Sequence, residues 1–305
     1  MSNNMLQIER YGAIDIGSNA IRLLITTIIH QEGKEPRFKK TSLIRVPIRL
    51  GADVFVKGKI SKANYKRMKD ALKAFDLIMN IHNVKRYRAC ATSAMREASN
   101  GKKIIKKIYK KTGINIDIIN GTDEATIIAS TNIKEYLKHD KVFLYVDVGG
   151  GSTELTIYSN NHTVASRSFK LGTVRLINNL VEETTWDQLK EWIQTNTKEY
   201  EHITLLGTGG NINSTYKFSG TKTGIPLSYS YLKNHYEYLC NLTYEERIVN
   251  LDMNPDRADV IIPALKIYLS AMEWSAAECV YVPKIGLSDG IIRSLYNKQM
   301  ENKSF

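Results

Sequence analysis

The chain has 305 residues, 43% hydrophobic and 24% charged, with a formal net charge of +12. That mix belongs to a soluble globular protein of about two domains and excludes a disordered chain, a collagen-like repeat and a disulfide-stapled miniprotein. The most apolar stretch, Ile21–Ile29, is broken by Arg22, Thr26 and Thr27 and falls far short of the ~20 residues that span a bilayer. Met1–Arg10 has no apolar signal-peptide core. Cys90, Cys240 and Cys279 are widely spaced with no CxxC. They point to neither a disulfide framework nor a zinc site, and to a reducing cytoplasm. The charge is uneven: residues 1–140 hold 27 Lys/Arg and 13 Asp/Glu, a net +14, whereas residues 141–305 are net −2. Such asymmetry suits a polyanionic partner or a solubility charge on one domain.

In chain order, the first element is Ala13–Ile25, β-branched residues around Asp15 and a Gly17-Ser18-Asn19 turn, which predicts a hairpin. Apolar spacing predicts a helix over Lys62–Ile81, a strand at Tyr87–Thr92, an amphipathic helix over Gly101–Lys111, a strand at Ile114–Ile119 and a helix over Thr122–Leu137. Tyr145–Ile157 then repeats the first hairpin at an offset of 132 residues. Asp147 meets Asp15, Gly149 meets Gly17 and Leu155 meets Leu23. A helix near Thr185–Thr197, a strand at Ile203–Leu206, a glycine turn and a helix over Ala258–Ser275 follow. Strands alternating with helices predict an α/β fold, and the echo predicts two related domains, 1–138 and 139–305.

Glycine turns leave backbone N–H groups free for phosphate oxygens, and an Asp closing the preceding strand can hold Mg²⁺ directly or through water. One such hairpin also reads as a plain turn with an Asp cap. Two related ones favour a phosphate site formed by Gly17, Ser18 and Asn19 with Gly149, Gly150, Gly151 and Ser152. Leu205–Asn211 runs a strand into Gly209 and a helix start, a geometry that also suits an anion. Around Ile119–Ala125, Thr122 is the expected N-cap, with Asp123 and Glu124 in the first turn. Acidic residues are favoured there by the helix dipole, and a carboxylate so held can also act as a general base toward water. Thr92 and Ser93 can cap the next helix, placing Arg96 to fork onto phosphate or simply to lie on the surface. Lys102, Lys103, Lys106, Lys107, Lys110 and Lys111 cover one half of a helix, either a solvated face or a rail for a polyanion. The six histidines show no metal spacing, and nucleic-acid signatures are missing.

Taken together, Ala13–Arg22, Ala91–Ala98, Ile119–Ala125, Tyr145–Leu155, Leu171–Leu176, Leu206–Asn211, Arg257–Val260 and Leu287–Ile292 resemble the exopolyphosphatase/guanosine pentaphosphate phosphohydrolase (Ppx/GppA) family, in its short two-domain form. The resemblance implies an α/β fold of two actin-like, ribonuclease H-like domains around a central phosphate-binding cleft. It implies hydrolysis of terminal phosphate from polyphosphate or guanosine penta/tetraphosphate, with Mg²⁺, or Mn²⁺ as the alternative ion, and a cytoplasmic homodimer without nucleic-acid or membrane partners. Carried over by motif, Glu124 matches the catalytic base, and Asp147 and Glu154 match the acidic residues for metal and water. Arg96 matches the phosphate-gripping arginine. Asp15 is a further metal candidate. Arg22, Gly209 and Arg175 extend the phosphate set. The family often has Glu-Glu-Ala-Arg where this chain has Asp123-Glu124-Ala125-Thr126, so the arginine is replaced. Two other readings use the same loops: a small-molecule kinase of the actin-like superfamily, and a non-catalytic sensor of polyphosphate or alarmone.

Overall fold

Aliphatic and β-branched residues crowd both flanks of Asp15 and of Asp147, and each cluster forms an antiparallel hairpin. The computed structural model describes residues 6–129, 131, 142–160 and 162–303. They group into two compact units, Met1–Thr131 with Leu287–Phe305, and Asn132–Gly286. The expected division between residues 138 and 139 lies outside the described residues, as does the end of the helix expected over Thr122–Leu137.

The first unit runs β1 (Gln7–Ile16), β2 (Ile21–His30), β3 (Arg37–Val46), α1 (Leu50–Lys57), α2 (Lys62–Ile81), β4 (Arg86–Ala91), α3 (Ser93–Glu97), α4 (Gly101–Thr112), β5 (Ile116–Ile118) and α5 (Gly121–Ala129). Its sheet order is β3-β2-β1-β4-β5. The first three strands are antiparallel, and β4 and β5 continue parallel to β1. Even-numbered residues of β1, Ile14 and Ile16, pack with Met68, Leu72 and Phe75 of α2 and Ile104 and Ile108 of α4. Period-two alternation turns Asp15 to the other face of the sheet.

The second unit runs β6 (Val142–Val148), β7 (Thr153–Ser159), β8 (His162–Phe169), α6 (Thr173–Ile177), α7 (Glu183–Thr197), β9 (Ile203–Thr208) and α8 (Gly210–Phe218). It continues through β10 (Leu227–Ser228), α9 (Tyr229–Cys240), α10 (Tyr244–Val249), α11 (Pro255–Ala258), α12 (Ile261–Trp274) and β11 (Cys279–Tyr281). The sheet order, β8-β7-β6-β9-β11-β10, repeats that of the first unit with one strand added. The repeat reaches fine detail. The second and third strands of each unit slip register at the same place, Ile25/Thr26 and Ile157/Tyr158, 132 residues apart. Of the helix expected over Ala258–Ser275, Ile261–Trp274 forms α12, and Ala258 instead ends the separate short α11. Pro263 lies in the first turn of α12, where its missing amide hydrogen costs no bond within that helix but would have broken a helix continuing from Ala258.

Helix α13 (Leu287–Lys303) returns to the first unit, where it packs on β1, β2, β4 and α5. The expected second domain, 139–305, had included this segment. A sheet with α2 and α4 on one face needs an apolar cover for the other. Three side-chain pairs dock the helix: Lys40 and Asp289 at 2.7 Å, Arg293 over the Phe38 ring at 3.6 Å, and His30 stacked on Tyr296 at 5.5 Å. Against α5 the approach is so close that a methyl group at Gly290 would land on the Ile127 carbonyl. Gly290→Ala should therefore cost about 1–3 kcal/mol, the range of overpacking. Urea unfolding would show it as a lower midpoint at unchanged slope; an unchanged midpoint would mean that α13 docks more loosely.

Candidate active site

The first turn closes where the Gly17 amide donates to the Ala20 carbonyl at 3.1 Å, and its counterpart where Gly149 donates to Ser152 at 2.9 Å. For such a turn to hold an anion its N–H groups must face out, so its carbonyls must be satisfied from behind. Both units do this with the short helix after the third strand. In the first unit, Gly51 N–H donates to the Ser18 carbonyl at 2.8 Å and Arg49 N–H to the Asn19 carbonyl at 2.9 Å. In the second, Thr173 N–H donates to Gly149 at 3.0 Å and Val174 N–H to Gly150 at 2.8 Å. Helix N-termini carry amides with no partner in their own helix, so α1 and α6 are ready donors. Gly172 packs so closely on the second loop that a Cβ there would lie 2.5 Å from Gly150 and Gly151 backbone atoms.

Arg175 is buried, and its Nε donates to the Gly151 carbonyl at 2.7 Å. Its side chain reaches the carbonyl that corresponds, across the repeat, to the one Arg49 reaches with its amide. The structure thus gives Arg175 a role in holding the loop. On the other side, Gly209 enters α8 with φ 113°, and a Cβ there would sit 3.2 Å from Asp147 Oδ1. Tyr268 OH donates to the Thr208 carbonyl, and Tyr145 OH lies 2.6 Å from Thr208 Oγ1. Burial, and then the Asp147 charge, push both phenols well above their ordinary pKa. They stay protonated and keep this backbone fixed under Asp147.

The two hairpins differ at one informative pair. Asp15 faces Arg22 across β1 and β2, and Arg22 Nη1 lies 2.7 Å from Asp15 Oδ2. The corresponding pair in the second unit is Asp147 facing Glu154. Glu154 is 2% exposed and accepts a bond from Ser168 Oγ at 2.8 Å. Facing like charges repel, and a divalent cation turns that repulsion into attraction. Mg²⁺ is commonly held by one or two carboxylates with waters and substrate phosphates completing the octahedron. Asp147 and Glu154 fit this demand, whereas the Asp15 carboxylate is engaged by arginine. Among the described residues no group of three or more His, Cys, Asp or Glu is placed to hold a metal.

Around the first loop, Ser18 and Ser93 hydroxyls lie 2.9 Å apart, and Thr92 N–H donates to Ile16 at 3.1 Å. The expected caps change here. Thr92 stands before α3 with no side-chain capping bond, and the Ser93 hydroxyl lies against Ser18. Asn120, in place of Thr122, caps α5 by accepting from the Asp123 amide at 2.8 Å. That shift starts the helix at Gly121 and puts Glu124, 9% exposed, in its first turn. Thr126, where the family often has arginine, donates to the Thr122 carbonyl in its own helix at 2.9 Å. Arg96 Nη1 donates to the Ile119 carbonyl at 2.6 Å, tying α3 to the residue just before that cap. A guanidinium carries five N–H groups, so this bond orients Arg96 without exhausting it.

Arg257, at the start of the Arg257–Val260 segment, is a residue to which the sequence alone assigns no role. Its guanidinium lies directly over Gly210, where a Cβ would collide with it, and Nη1 donates to Asn211 Oδ1 at 3.0 Å. The signal was an arginine far along the chain from the glycine turn it covers, and only folding brings the two together.

Glycine turns repeated on two related α/β units define the class: an α/β protein with a duplicated hairpin turn. Residues 28–299 match the Ppx/GppA phosphatase family, and the chain belongs to it. It is 27% identical over 327 residues to a bifunctional 3-dehydroquinate synthase/phosphatase of Fusobacterium nucleatum, with 97% of this chain and 47% of that protein covered. The chain therefore spans about half the length of that relative. It is 25% identical to exopolyphosphatase 2 of Mycobacterium tuberculosis, over 95% of this chain and 99% of the relative. The crystal structure of an exopolyphosphatase from Cytophaga hutchinsonii superposes with a TM-score of 0.82 at 24% identity, covering 95% of this chain and 98% of that one. That likeness shows a shared fold.

Removing the Arg175 side chain tests the support of the second loop. Arg175→Met leaves a buried carbonyl without this donor, at about 1–3 kcal/mol. Phosphate-ester or polyphosphate affinity should fall about tenfold or more as the loop loosens. Wild-type affinity in a folded variant would show that the helix amides alone hold the loop.

Proposed function

We propose that this chain is a metal-dependent phosphohydrolase that releases terminal phosphate from linear polyphosphate and from guanosine pentaphosphate. The observation that carries the reading is the repeated hairpin loop, its carbonyls tied back in both units, with arginine facing Asp15 in one copy and Glu154 facing Asp147 in the other. One loop is thereby suited to anion alone, the other to anion plus cation. Family membership and full-length similarity to an exopolyphosphatase support the substrate class.

A phosphoanhydride has a good leaving group, so the protein's work is to position water and phosphoryl oxygens and to spread charge. The amides of Ser18 and Asn19 and of Gly150, Gly151 and Ser152 bind phosphate oxygens, while those of Gly17 and Gly149, expected among them, are spent closing the turns; Gly209 beside Asp147 extends the second set. Arg96, aligned by the Ile119 carbonyl, donates to a phosphoryl oxygen. Glu124 accepts the proton of the attacking water. Arg22 pairs with Asp15 and adds positive charge beside the first loop. Asp147 and Glu154 are the residues that would hold Mg²⁺, or Mn²⁺; bound there, the ion would neutralise phosphate charge. The reading extends to a cytoplasmic homodimer.

Phosphate release from long-chain polyphosphate and from guanosine pentaphosphate, compared between wild type and Glu124→Gln, tests the assignment. A general base contributes about 10²–10⁴-fold, so kcat should fall by that factor while substrate affinity changes little. Chelation should abolish turnover, and added Mg²⁺ should restore it. Equal rates in wild type and variant would remove Glu124 as the base. Binding without wild-type turnover would turn the reading into a sensor.

A further inference from the structure

We propose that the lysine face of α4 is an exosite for the distal part of a long polyphosphate chain, separate from the glycine loops. The proposal rests on the polyphosphate reading above and names a surface that reading does not use. All six lysines of α4, Lys102, Lys103, Lys106, Lys107, Lys110 and Lys111, are exposed, while Ile104 and Ile108 are buried in the core. At ~1.5 Å per residue the six charges lie along about 14 Å of helix. Among the described residues none of them forms a salt bridge.

Solubility alone is a poor account of this face. Lys102, Lys106 and Lys110 form one i,i+4 row, and Lys103, Lys107 and Lys111 a second. Like charges at that spacing destabilise a helix. Lys102 and Lys103 also sit in a first turn that holds no acidic residue, against the positive end of the helix dipole, and Asn100 makes no side-chain capping bond. A soluble helix would relieve this with a few glutamates. A polyanion relieves it by binding.

The neighbourhood extends the same charge. Helix α2 packs beside α4, Lys107 Nζ lies 5.8 Å from the centre of the Tyr65 ring, and Lys62 and Lys66 of α2 are exposed. Helix α4 begins just after α3, whose Ser93 meets Ser18 of the first loop. The chemistry favours polyphosphate over nucleic acid. Every cation of α4 is a lysine, a compact point charge without arginine's bidentate fork, which suits a uniform chain that must slide. Single-stranded nucleic acid is gripped by successive aromatic platforms, and Tyr109 is the one aromatic residue of this helix.

The test is the variant Lys103→Gln/Lys106→Gln/Lys107→Gln/Lys110→Gln. KM for chains of hundreds of phosphates should rise about tenfold at low salt with kcat unchanged, while tripolyphosphate turnover stays at the wild-type level. The rise of long-chain KM with added KCl should be shallower than in wild type. The melting temperature should hold or rise, because repulsion is removed; a merely structural role would lower it. An unchanged long-chain KM in the folded variant overturns the proposal. If wild type releases phosphate from no polyphosphate, the functional reading fails by itself. Binding of fluorescently labelled long-chain polyphosphate then decides the exosite: weaker binding by the variant supports it, and equal binding overturns it. Duplex DNA that binds wild type, resists displacement by polyphosphate and is lost in the variant overturns it in favour of nucleic acid.

Discussion

A backbone turn can bind phosphate only if its N–H groups point outward and its C=O groups do not. Carbonyls in such a turn are best satisfied from behind, and the short helix of each unit supplies donors to two of them. The hairpin makes the turn. The third strand carries the chain back, and a short helix arrives with the free amides of its first turn. In the first unit these amides belong to Arg49 and Gly51, in the second to Thr173 and Val174. The hairpin, third strand and short helix therefore form one working part, present twice.

Duplication lets the two copies be compared residue by residue, and the comparison shows where they differ. Backbone features have been kept, down to the register slip after Ile25 and after Ile157. The side chain opposite the strand-ending aspartate has not. Arginine neutralises Asp15, while Glu154 doubles the negative charge of Asp147. A single exchange of sign separates an anion-binding turn from one suited to a cation between carboxylate and phosphate. The second copy also has the more rigid base: two buried, protonated tyrosines grip Thr208 beneath Asp147, and Arg175 adds a side-chain donor where the first copy uses an amide.

The first unit depends on an element from the far end of the chain. Helix α13 covers β1, β2 and β4 and presses against α5, the helix that carries Glu124. The close approach of Gly290 to the Ile127 carbonyl leaves no room for a side chain. The position of Glu124 is thus set by Asn120 at its cap and by a helix more than 150 residues away in sequence.

Much of this was legible in the residues alone. Period-two runs around Asp15 and Asp147 gave both hairpins, their shared offset gave the duplicated fold, and helical spacing gave α2 to the residue and α4 nearly so. Local signals sufficed there because strand, turn and amphipathic helix are decided within a few residues. Other features had to wait for the fold. Asn120 rather than Thr122 caps α5, α12 begins three residues later than expected, and α13 joins the first unit. Arg175 turns inward to a loop carbonyl, and Arg257 covers Gly210. Each of these depends on a partner distant in sequence or on a choice between neighbours of similar propensity. Sequence by itself determined where the two glycine turns and their aspartates fall, because turn geometry and charge are properties of short segments. Tertiary structure decided which of them are held, by what and with which sign of charge opposite, because packing and cross-strand pairing join segments that the linear order keeps apart.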